Sequence, residues 1–334
     1  MMKGILQGIR PARPLFLPIL FSIGARIENV PLQSFLSNPT KMSNSLRRIR
    51  THVQSDGVSC YFDPFLETEA LGAKLEWRAE GQPPLVHWLG QSEKDELPEG
   101  IRPANQAATS GRIPVAVEVI RRMNSLLRDD SLLMAGVTGP FTLAARITQL
   151  KQEEALHSEN YSPAALELSA TLITQISSTY VAAGANLIFI REEILPELME
   201  ENCESLAGLL APAINVIRFH EALPVLRMPE GGSSYARQDV IFKREWDCVI
   251  CAGVDVFKSS SSRGIIESGK TPWGIALPLE LFEGEEGESQ QRQSAIRELI
   301  SETRPSIVTT TGDVPAGTDL KRVLKVLDTV PRGK

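Results

Sequence analysis

Short apolar runs alternate along the chain with longer segments in which apolar residues recur every three or four positions. The short runs have the length of a strand buried on both faces, and the longer segments have helical spacing. The predicted strands are Pro14 to Phe21, Val58 to Phe62, Leu132 to Val137, Asn186 to Ile190, Ile214 to Phe219, Cys248 to Ala252, Trp273 to Leu277 and Ser306 to Thr310. The predicted helices are Lys41 to Val53, Ile113 to Leu127, Phe141 to Leu150, Pro163 to Ala183, Pro196 to Leu210, Gln290 to Thr303 and Leu320 to Val330.

This alternation predicts a parallel sheet with right-handed crossovers. About eight such units indicate a single (β/α)8 TIM barrel, so we expect one domain over residues 1–334. The segment 76–112 is polar and rich in proline and glycine. We expect it to lie at the periphery of the barrel or over its mouth, since nothing in it marks a linker between domains.

Composition narrows the class of protein. A content of 42% hydrophobic and 23% charged residues is that of a globular protein with a full core. The formal charge of −6 argues against nucleic acid or an anionic membrane as a partner. The apolar run 14–23 is too short to span a bilayer and contains two prolines.

Four cysteines are too few for a disulfide scaffold and suit a reducing, cytoplasmic location. Cys248 and Cys251 have the spacing of a metal-binding or redox motif. They lie in a predicted strand, however, where residues three apart point to opposite faces. We therefore predict that both are core residues.

Candidate chemistry lies where the predicted strands end, because a barrel carries its active site at the C-terminal ends of its strands. Pro64 cannot continue a ladder, so Asp63 stands at such an end, although Asp-Pro is also an ordinary turn dipeptide. The other polar residues at these ends are Thr138, Arg191, Glu192, Glu193, His220, Glu221, Asp255, Thr311 and Asp313.

Two segments carry a family resemblance. Asp63 is followed at a characteristic distance by Glu69-Ala70-Leu71-Gly72, and the second segment is Thr138-Gly139-Pro140-Phe141-Thr142-Leu143-Ala144. Both resemble the uroporphyrinogen decarboxylase superfamily. The resemblance covers nearly the whole chain in the order of its elements, and it implies the same barrel fold with Asp63 in the active site.

Superfamily members that transfer methyl groups from a corrinoid to a thiol carry zinc, held by His-x-Cys at one strand end and by a cysteine in a Thr-Gly-Cys-like segment. This chain resembles them in Phe219-His220-Glu221-Ala222 and in Thr311-Gly312-Asp313, but both cysteines are missing. A zinc site of His220, Asp313 and Glu192 or Glu193 stays open. The alternative is that His220 is a hydrogen-bonded pocket residue.

True uroporphyrinogen decarboxylases grip the carboxylates of their substrate with an Arg-Gln-Ala-Gly-Arg segment after the first strand. Guanidinium groups suit that task because they bind carboxylates bidentately. This chain has Phe21-Ser22-Ile23-Gly24-Ala25-Arg26 there, with one arginine out of register. The family's C-terminal histidine is also absent.

Three functions remain. The resemblance favours a methyltransferase that moves a methyl group between a small molecule and methylcobalamin or another corrinoid presented by a partner protein. A decarboxylase acting on a porphyrinogen or smaller acid is the alternative, and a non-catalytic ligand-binding barrel is the third. The expected catalytic residues are Asp63, His220 and Asp313, and the expected substrate-binding residues are Arg26, Glu192, Glu193 and Thr311. We expect burial to raise the pKa of at least one of these carboxyl groups.

Overall fold

The computed structural model describes residues 4–5, 9, 11–78, 84–89, 97–127, 130–197, 199–229, 238–257, 264, 270–282, 286–328 and 330. Every structural statement below concerns these residues.

Eight parallel strands form one sheet in the order β1-β10-β9-β8-β7-β6-β5-β2, and a separate antiparallel hairpin is formed by β3 and β4. The strands are β1 Leu15–Phe16, β2 Gly57–Tyr61, β3 Lys74–Glu76, β4 Leu85–His87, β5 Leu132–Thr138, β6 Leu187–Arg191, β7 Leu223–Arg227, β8 Val249–Gly253, β9 Trp273–Leu277 and β10 Ile307–Thr310. The strands of the eight-stranded sheet are buried almost throughout, because helices cover one face and barrel side chains the other. The predicted α/β TIM barrel is confirmed.

The helices that alternate with the strands surround this sheet. They are α1 Ile23–Ile27, α2 Leu32–Leu36, α3 Pro39–Val53, α4 Leu66–Ala70, α5 Ala104–Ala107, α6 Ile113–Leu127, α7 Pro140–Ile147, α8 Pro163–Ala182, α9 Glu200–Phe219, α10 Glu286–Thr303 and α11 Leu320–Leu327. None of the described helices is long and apolar enough to cross a membrane.

Beyond β1, where the backbone hydrogen bonds of the sheet end, side-chain hydroxyl groups accept the N–H groups of the chain. The predicted strand to Phe21 is reduced to Leu15–Phe16, because Pro18 has no N–H to donate. Beyond it, Ile19 N–H donates to Thr310 Oγ1 at 3.1 Å and Leu20 N–H to Ser59 Oγ at 3.2 Å. These bonds bring the chain past β1 against both β10 and β2, so the barrel is nearly closed.

The prediction of a strand from Ile214 to Phe219 is wrong. This segment is the last part of α9, and the fifth barrel strand is β7, nine residues further on. Its β-branched residues resemble a strand, but Ile214 and Ile217 are buried while Asn215 and Arg218 are exposed, which is helical spacing. Pro212 stands inside the helix instead of ending it.

The described parts of segment 76–112 lie beside the C-terminal ends of the strands. After the β3–β4 hairpin, Trp88 Nε1 donates to the carbonyl of Arg146 at 3.1 Å. Arg102 N–H then donates to the carbonyl of Leu71 at 2.8 Å. The segment ends at Arg112, directly before α6, which places that side chain at the mouth of the barrel.

The Gly-Pro-Phe-Thr segment starts helix α7 around a buried carboxylate. Glu192 is fully buried and accepts the N–H groups of Phe141 and Thr142 at 3.1 and 2.9 Å, together with the hydroxyl of Thr142 at 2.6 Å. Burial raises its pKa to about 7, against the hydrogen bonds that favour the ionised form. Position 139 requires glycine for lack of space and not for its backbone conformation, since its φ is −67°. A Cβ atom there would lie 2.2 Å from Glu192 Cδ. Glu192 therefore ties β6 to α7.

We predict that Gly139→Ala destabilises the fold by about 2–4 kcal/mol, because the methyl group displaces Glu192 from its donors. Gly208→Ala is the matched control. Gly208 lies in α9 with open space around its Cβ position, so alanine there should stabilise by about 0.5–1 kcal/mol. Urea unfolding of both variants measures the difference. Equal effects of the two substitutions would contradict the packing described for Glu192.

All four cysteines are buried and unbridged, as predicted for Cys248 and Cys251. Burial raises the pKa of Cys60 and Cys248 to about 12 and that of Cys203 to about 11, and it raises that of Cys251 as well. The reactive thiolate is therefore scarce at neutral pH.

We predict that a thiol reagent modifies the native protein on the order of a hundredfold more slowly than the denatured chain, for every cysteine. Stopped-flow titration with and without guanidinium chloride measures the ratio. A rapidly reacting Cys248 or Cys251, or zinc that is lost on Cys251→Ser, would show that this strand is misplaced.

Candidate active site

Charged side chains gather where β2, β6 and β7 end, at the mouth of the barrel. Four are arginines and three are acids, and all are at least half-buried. We call this group the mouth cluster: Asp63, Glu69, Arg112, Arg146, Arg191, Glu193 and Arg227.

Asp63 is held on both oxygens. Its Oδ1 accepts the N–H of Phe65 at 2.9 Å, which makes the Asp-Pro turn, and its Oδ2 is in an ion pair with Arg112 Nη1. Only 4% of the residue is exposed. The sequence correctly indicates that Asp63 ends a strand at the mouth, but the turn and the ion pair occupy its carboxylate.

Arg112 joins Asp63 to a second acid. Its Nε donates to Glu69 Oε2 at 2.7 Å, and its guanidinium lies over the ring of Trp77 at 5.5 Å from the centroid. Two acids, Asp63 and Glu69, pair with the single arginine Arg112, so this half of the mouth cluster carries no excess positive charge. The Glu69-Ala70-Leu71-Gly72 segment thereby acquires a physical role, since Glu69 anchors the helix α4 to the residue preceding α6.

Glu193 is surrounded by the other three arginines. Its Oε2 is in an ion pair with Arg146 Nη2, and its Oε1 lies 4.0 Å from Arg191 Nη1 and 3.9 Å from Arg227 Nη2. The side chain of Glu193 is 35% exposed, whereas those of Arg191 and Arg227 are 6% and 4% exposed. Glu193 thus faces the opening, and the two arginines lie beneath it.

The electrostatics of this half differ from those around Asp63. Burial favours the neutral form of Glu193, but Arg146, Arg191 and Arg227 hold its pKa below the ordinary value. Glu193 is therefore a carboxylate at neutral pH and does not serve as a general acid. Within the mouth cluster, this half therefore has one acid facing three guanidinium groups.

Two of the predicted site residues, Asp313 and Arg26, form hydrogen bonds with backbone groups. Asp313 accepts the N–H of Phe21 at 2.7 Å and both the N–H and the hydroxyl of Ser22, so it caps α1. Burial raises the pKa of Asp313 to about 7, against those hydrogen bonds. Arg26 donates to the carbonyls of Gly317 and Thr318 at 2.6 and 2.9 Å, so its guanidinium straps the loop after β10. Thr311 is buried at the end of β10, and its Oγ1 has no hydrogen-bond partner.

The placement of His220 at the mouth is wrong. Because α9 continues to Phe219, His220 is the exposed residue after that helix and comes before β7. It therefore lies at the N-terminal end of the barrel, while Asp313 follows the C-terminal end of β10. His220 and Asp313 cannot share a metal ion.

The residues present do not fit the zinc site that the resemblance suggested. The fifth strand ends in Arg227-Met228-Pro229, where the resemblance called for His-x-Cys. Asp313 has both oxygens engaged, and no group of three or more His, Cys, Asp or Glu side chains within the described part of the chain is arranged to hold a metal.

Three arginines of the mouth cluster, Arg112, Arg146 and Arg227, were not predicted from the sequence, and Arg191 was named at a strand end without a role. Arg191 and Arg227 each end an apolar run, which is the signal that selected Glu192 and Glu193. Arg227 was missed because its strand was placed nine residues too early. Arg112 and Arg146 stand outside the strands, and no pattern in the sequence marks them.

We predict that Arg112→Gln destabilises the fold by about 3–5 kcal/mol at neutral pH, because it leaves Asp63 buried without its counter-ion. Arg122→Gln, which breaks an exposed ion pair with Glu118, should cost less than about 0.5 kcal/mol. Chemical unfolding of both variants at neutral pH tests this, and equal losses in the two variants would contradict the pairing of Arg112 with Asp63.

Comparison with known proteins places the barrel in a family. Residues 4–214 match the uroporphyrinogen decarboxylase (URO-D) family. No curated protein sequence gave a significant match.

Among solved structures, a methyltransferase from Methanosarcina mazei has a TM-score of 0.78 and 16% sequence identity, with coverage of 98% of this chain and 96% of that chain. A B12-independent methionine synthase from Shewanella sp. W3-18-1 has a TM-score of 0.50 and 11% identity, covering 89% and 87% of the two chains. At these identities the two structures show a shared fold. Since the family match extends over more than half of the sequence and the fold agrees with it, the chain belongs to the uroporphyrinogen decarboxylase family.

Proposed function

We propose that the protein is a methyltransferase that moves a methyl group between a small molecule and a corrinoid carried by a partner protein. Membership of the uroporphyrinogen decarboxylase family supports an enzyme, and the likeness over nearly its full length to a methyltransferase from Methanosarcina mazei supports this reaction class. The corrinoid would supply a cobalt atom that takes up or gives back the methyl group.

The observation that carries the proposal is the excess of guanidinium charge at the mouth. When a methyl group passes from a heteroatom to a nucleophilic acceptor, the acceptor supplies the electrons of the new bond, and the heteroatom keeps the electrons of the old bond and gains negative charge. Buried donors that point to such a charge stabilise it strongly, because little water competes with them. Arg191 and Arg227 are buried and stand at the ends of neighbouring strands, which supports that role.

The arginines also account for the lack of a group of metal ligands among the residues that the structure describes. In thiol methyltransferases of the superfamily, zinc favours the anionic form of the acceptor. Here a guanidinium group at the end of β7 supplies positive charge at the strand end where the resemblance called for a metal ligand. We therefore propose a reaction in which no step depends on a protein-bound metal.

Asp63 argues against the decarboxylase alternative. Decarboxylation by this family's route needs an aspartate whose charge faces a cationic intermediate. Both oxygens of Asp63 are occupied, and Arg112 places a positive charge directly beside it. A carboxylate whose charge is already balanced by Arg112 stabilises a second cation only weakly.

We expect the wild-type protein to change the visible spectrum of cobalamin when it is offered small methylated donors with cob(I)alamin, or acceptors with methylcobalamin. Arg227→Gln should lower the rate by about 10²–10³-fold, since one donor to the developing anion is lost. Arg218→Gln is the control: Arg218 is paired with Asp247 on the outside of the barrel, and its replacement should leave the rate unchanged.

The same assay decides among the three functions. Release of carbon dioxide from a porphyrinogen or a smaller acid, without any change in the cobalamin spectrum, would establish the decarboxylase instead. If the protein shows neither methyl transfer nor decarboxylation with any compound of the panel, the result would support a ligand-binding barrel.

A further inference from the structure

Arg191 is a buried cation with unused hydrogen-bond donors. Of its five N–H donors, Nη2 makes one long hydrogen bond, to the carbonyl of Asp63 at 3.3 Å. Its Nε has no partner, and Nη1 lies 4.0 Å from Glu193, which is too far for a hydrogen bond. A buried guanidinium group in this condition is costly, and such a cost is usually recovered when a ligand binds.

Arg227 stands directly beside Arg191. The two residues are partners in the register of β6 and β7, so their side chains leave neighbouring strands at the same level. Each has one guanidinium nitrogen about equally far from Glu193 Oε1, at 4.0 and 3.9 Å. Two guanidinium groups side by side form a fork that matches the two oxygens of a planar carboxylate.

The barrel wall provides room for this fork. The guanidinium of Arg191 lies over the ring of Phe62, 5.9 Å from its centroid. Gly136 on the adjacent strand has no side chain, and a Cβ there would come within 3.1 Å of Arg191 Nε. The site therefore has an apolar wall of Phe62 and Gly136 beside the guanidinium group of Arg191.

Glu193 occupies the fork only loosely. Its tight ion pair is with Arg146 through Oε2, and its other oxygen stays at long range from Arg191 and Arg227. Since it is the exposed member of the group, a small anion entering from the mouth meets this oxygen first. The Glu193 carboxylate thus lies where the carboxylate of a bound ligand would approach Arg191 and Arg227.

Other acids near Arg191 do not cancel its charge fully. Glu67 and Asp313 both interact electrostatically with Arg191. Burial raises the pKa of both, to about 7 in the case of Asp313, so each is a weaker source of negative charge than an exposed acid. Glu67 is further engaged by the N–H and hydroxyl of Thr138, at 3.0 and 2.8 Å.

We propose that Arg191 and Arg227 bind a carboxylate group of the substrate, with Glu193 moving aside as the competing internal anion. The small molecule that is methylated or demethylated is accordingly a carboxylic acid. This inference rests on the proposed function in taking the same mouth as the active site: with the carboxylate bound between them, the two guanidinium groups also lie beside the heteroatom that loses the methyl group. The binding itself is independent of cobalamin.

Binding of propionate to the full chain, measured by calorimetry and by thermal unfolding, tests the site, with neutral propionamide as the comparison. Propionate should bind and raise the melting temperature, and propionamide should do neither. Arg227→Gln should weaken propionate binding at least about tenfold, because one arm of the fork is lost. Glu193→Gln should instead tighten it by about tenfold, because the competing charge is removed while the hydrogen bond to Arg146 is kept. The surface control Arg218→Gln should bind like wild type.

Opposite effects of the Glu193 and Arg227 substitutions are the signature of the fork, and the Glu193 variant decides the matter even if Arg227→Gln fails to fold. Equal binding of propionate and propionamide, no tightening in Glu193→Gln, or tighter binding of inorganic phosphate than of propionate would overturn the proposal. If propionate binds as expected but cobalamin is not methylated or demethylated with any carboxylic acid, the proposed reaction fails and the site stands. If methyl transfer proceeds with neutral substrates and propionate does not bind, the site fails and the reaction stands.

Discussion

A guanidinium group buried at the end of a barrel strand must have an anion beside it, and this requirement organises the mouth of the protein. Arg112 meets it fully, with Asp63 and Glu69 at close range. Arg191 meets it poorly, because its Nη1 lies 4.0 Å from Glu193 Oε1 and its Nε has no hydrogen-bond partner. Within the mouth cluster, one side therefore has two acids around one arginine, and the other has three arginines around one acid. The side on which Arg191 keeps an unused donor is the one suited to an anionic substrate.

Several acids that look catalytic in the sequence are structural anchors. Asp63 makes a turn and an ion pair, Glu192 receives the first N–H groups of α7, and Asp313 caps α1. Each ties a strand end to the next helix, so each keeps the mouth in shape. Family-specific segments can thus reflect the geometry of the barrel as much as its chemistry: Gly139 in the Gly-Pro-Phe-Thr segment is small because a glutamate fills the space beside it.

The sequence was sufficient for the barrel and insufficient for the site. Strands such as Trp273–Leu277 are continuous apolar runs with clear ends, so their period and length predict them well. Ile214 to Phe219 misled because β-branched residues on a helix face look like a strand until the burial of every third or fourth residue is known. Because the strand was predicted nine residues too early, its end was expected at His220 and not at Arg227. The sequence therefore suggested a metal site where the structure has a guanidinium group. Contacts such as Arg112 with Asp63 join residues far apart in the chain, and no local pattern encodes them.

If guanidinium groups rather than a metal supply the positive charge at the mouth, the protein should not retain zinc. The most direct measurement is the zinc content of wild-type protein that has been equilibrated with zinc and then desalted, determined by inductively coupled plasma mass spectrometry. The expected result is a zinc content far below one ion per chain, with the same value for His220→Ala. One tightly held zinc ion per chain, lost when Asp313 or His220 is replaced, would contradict the arrangement described for the mouth.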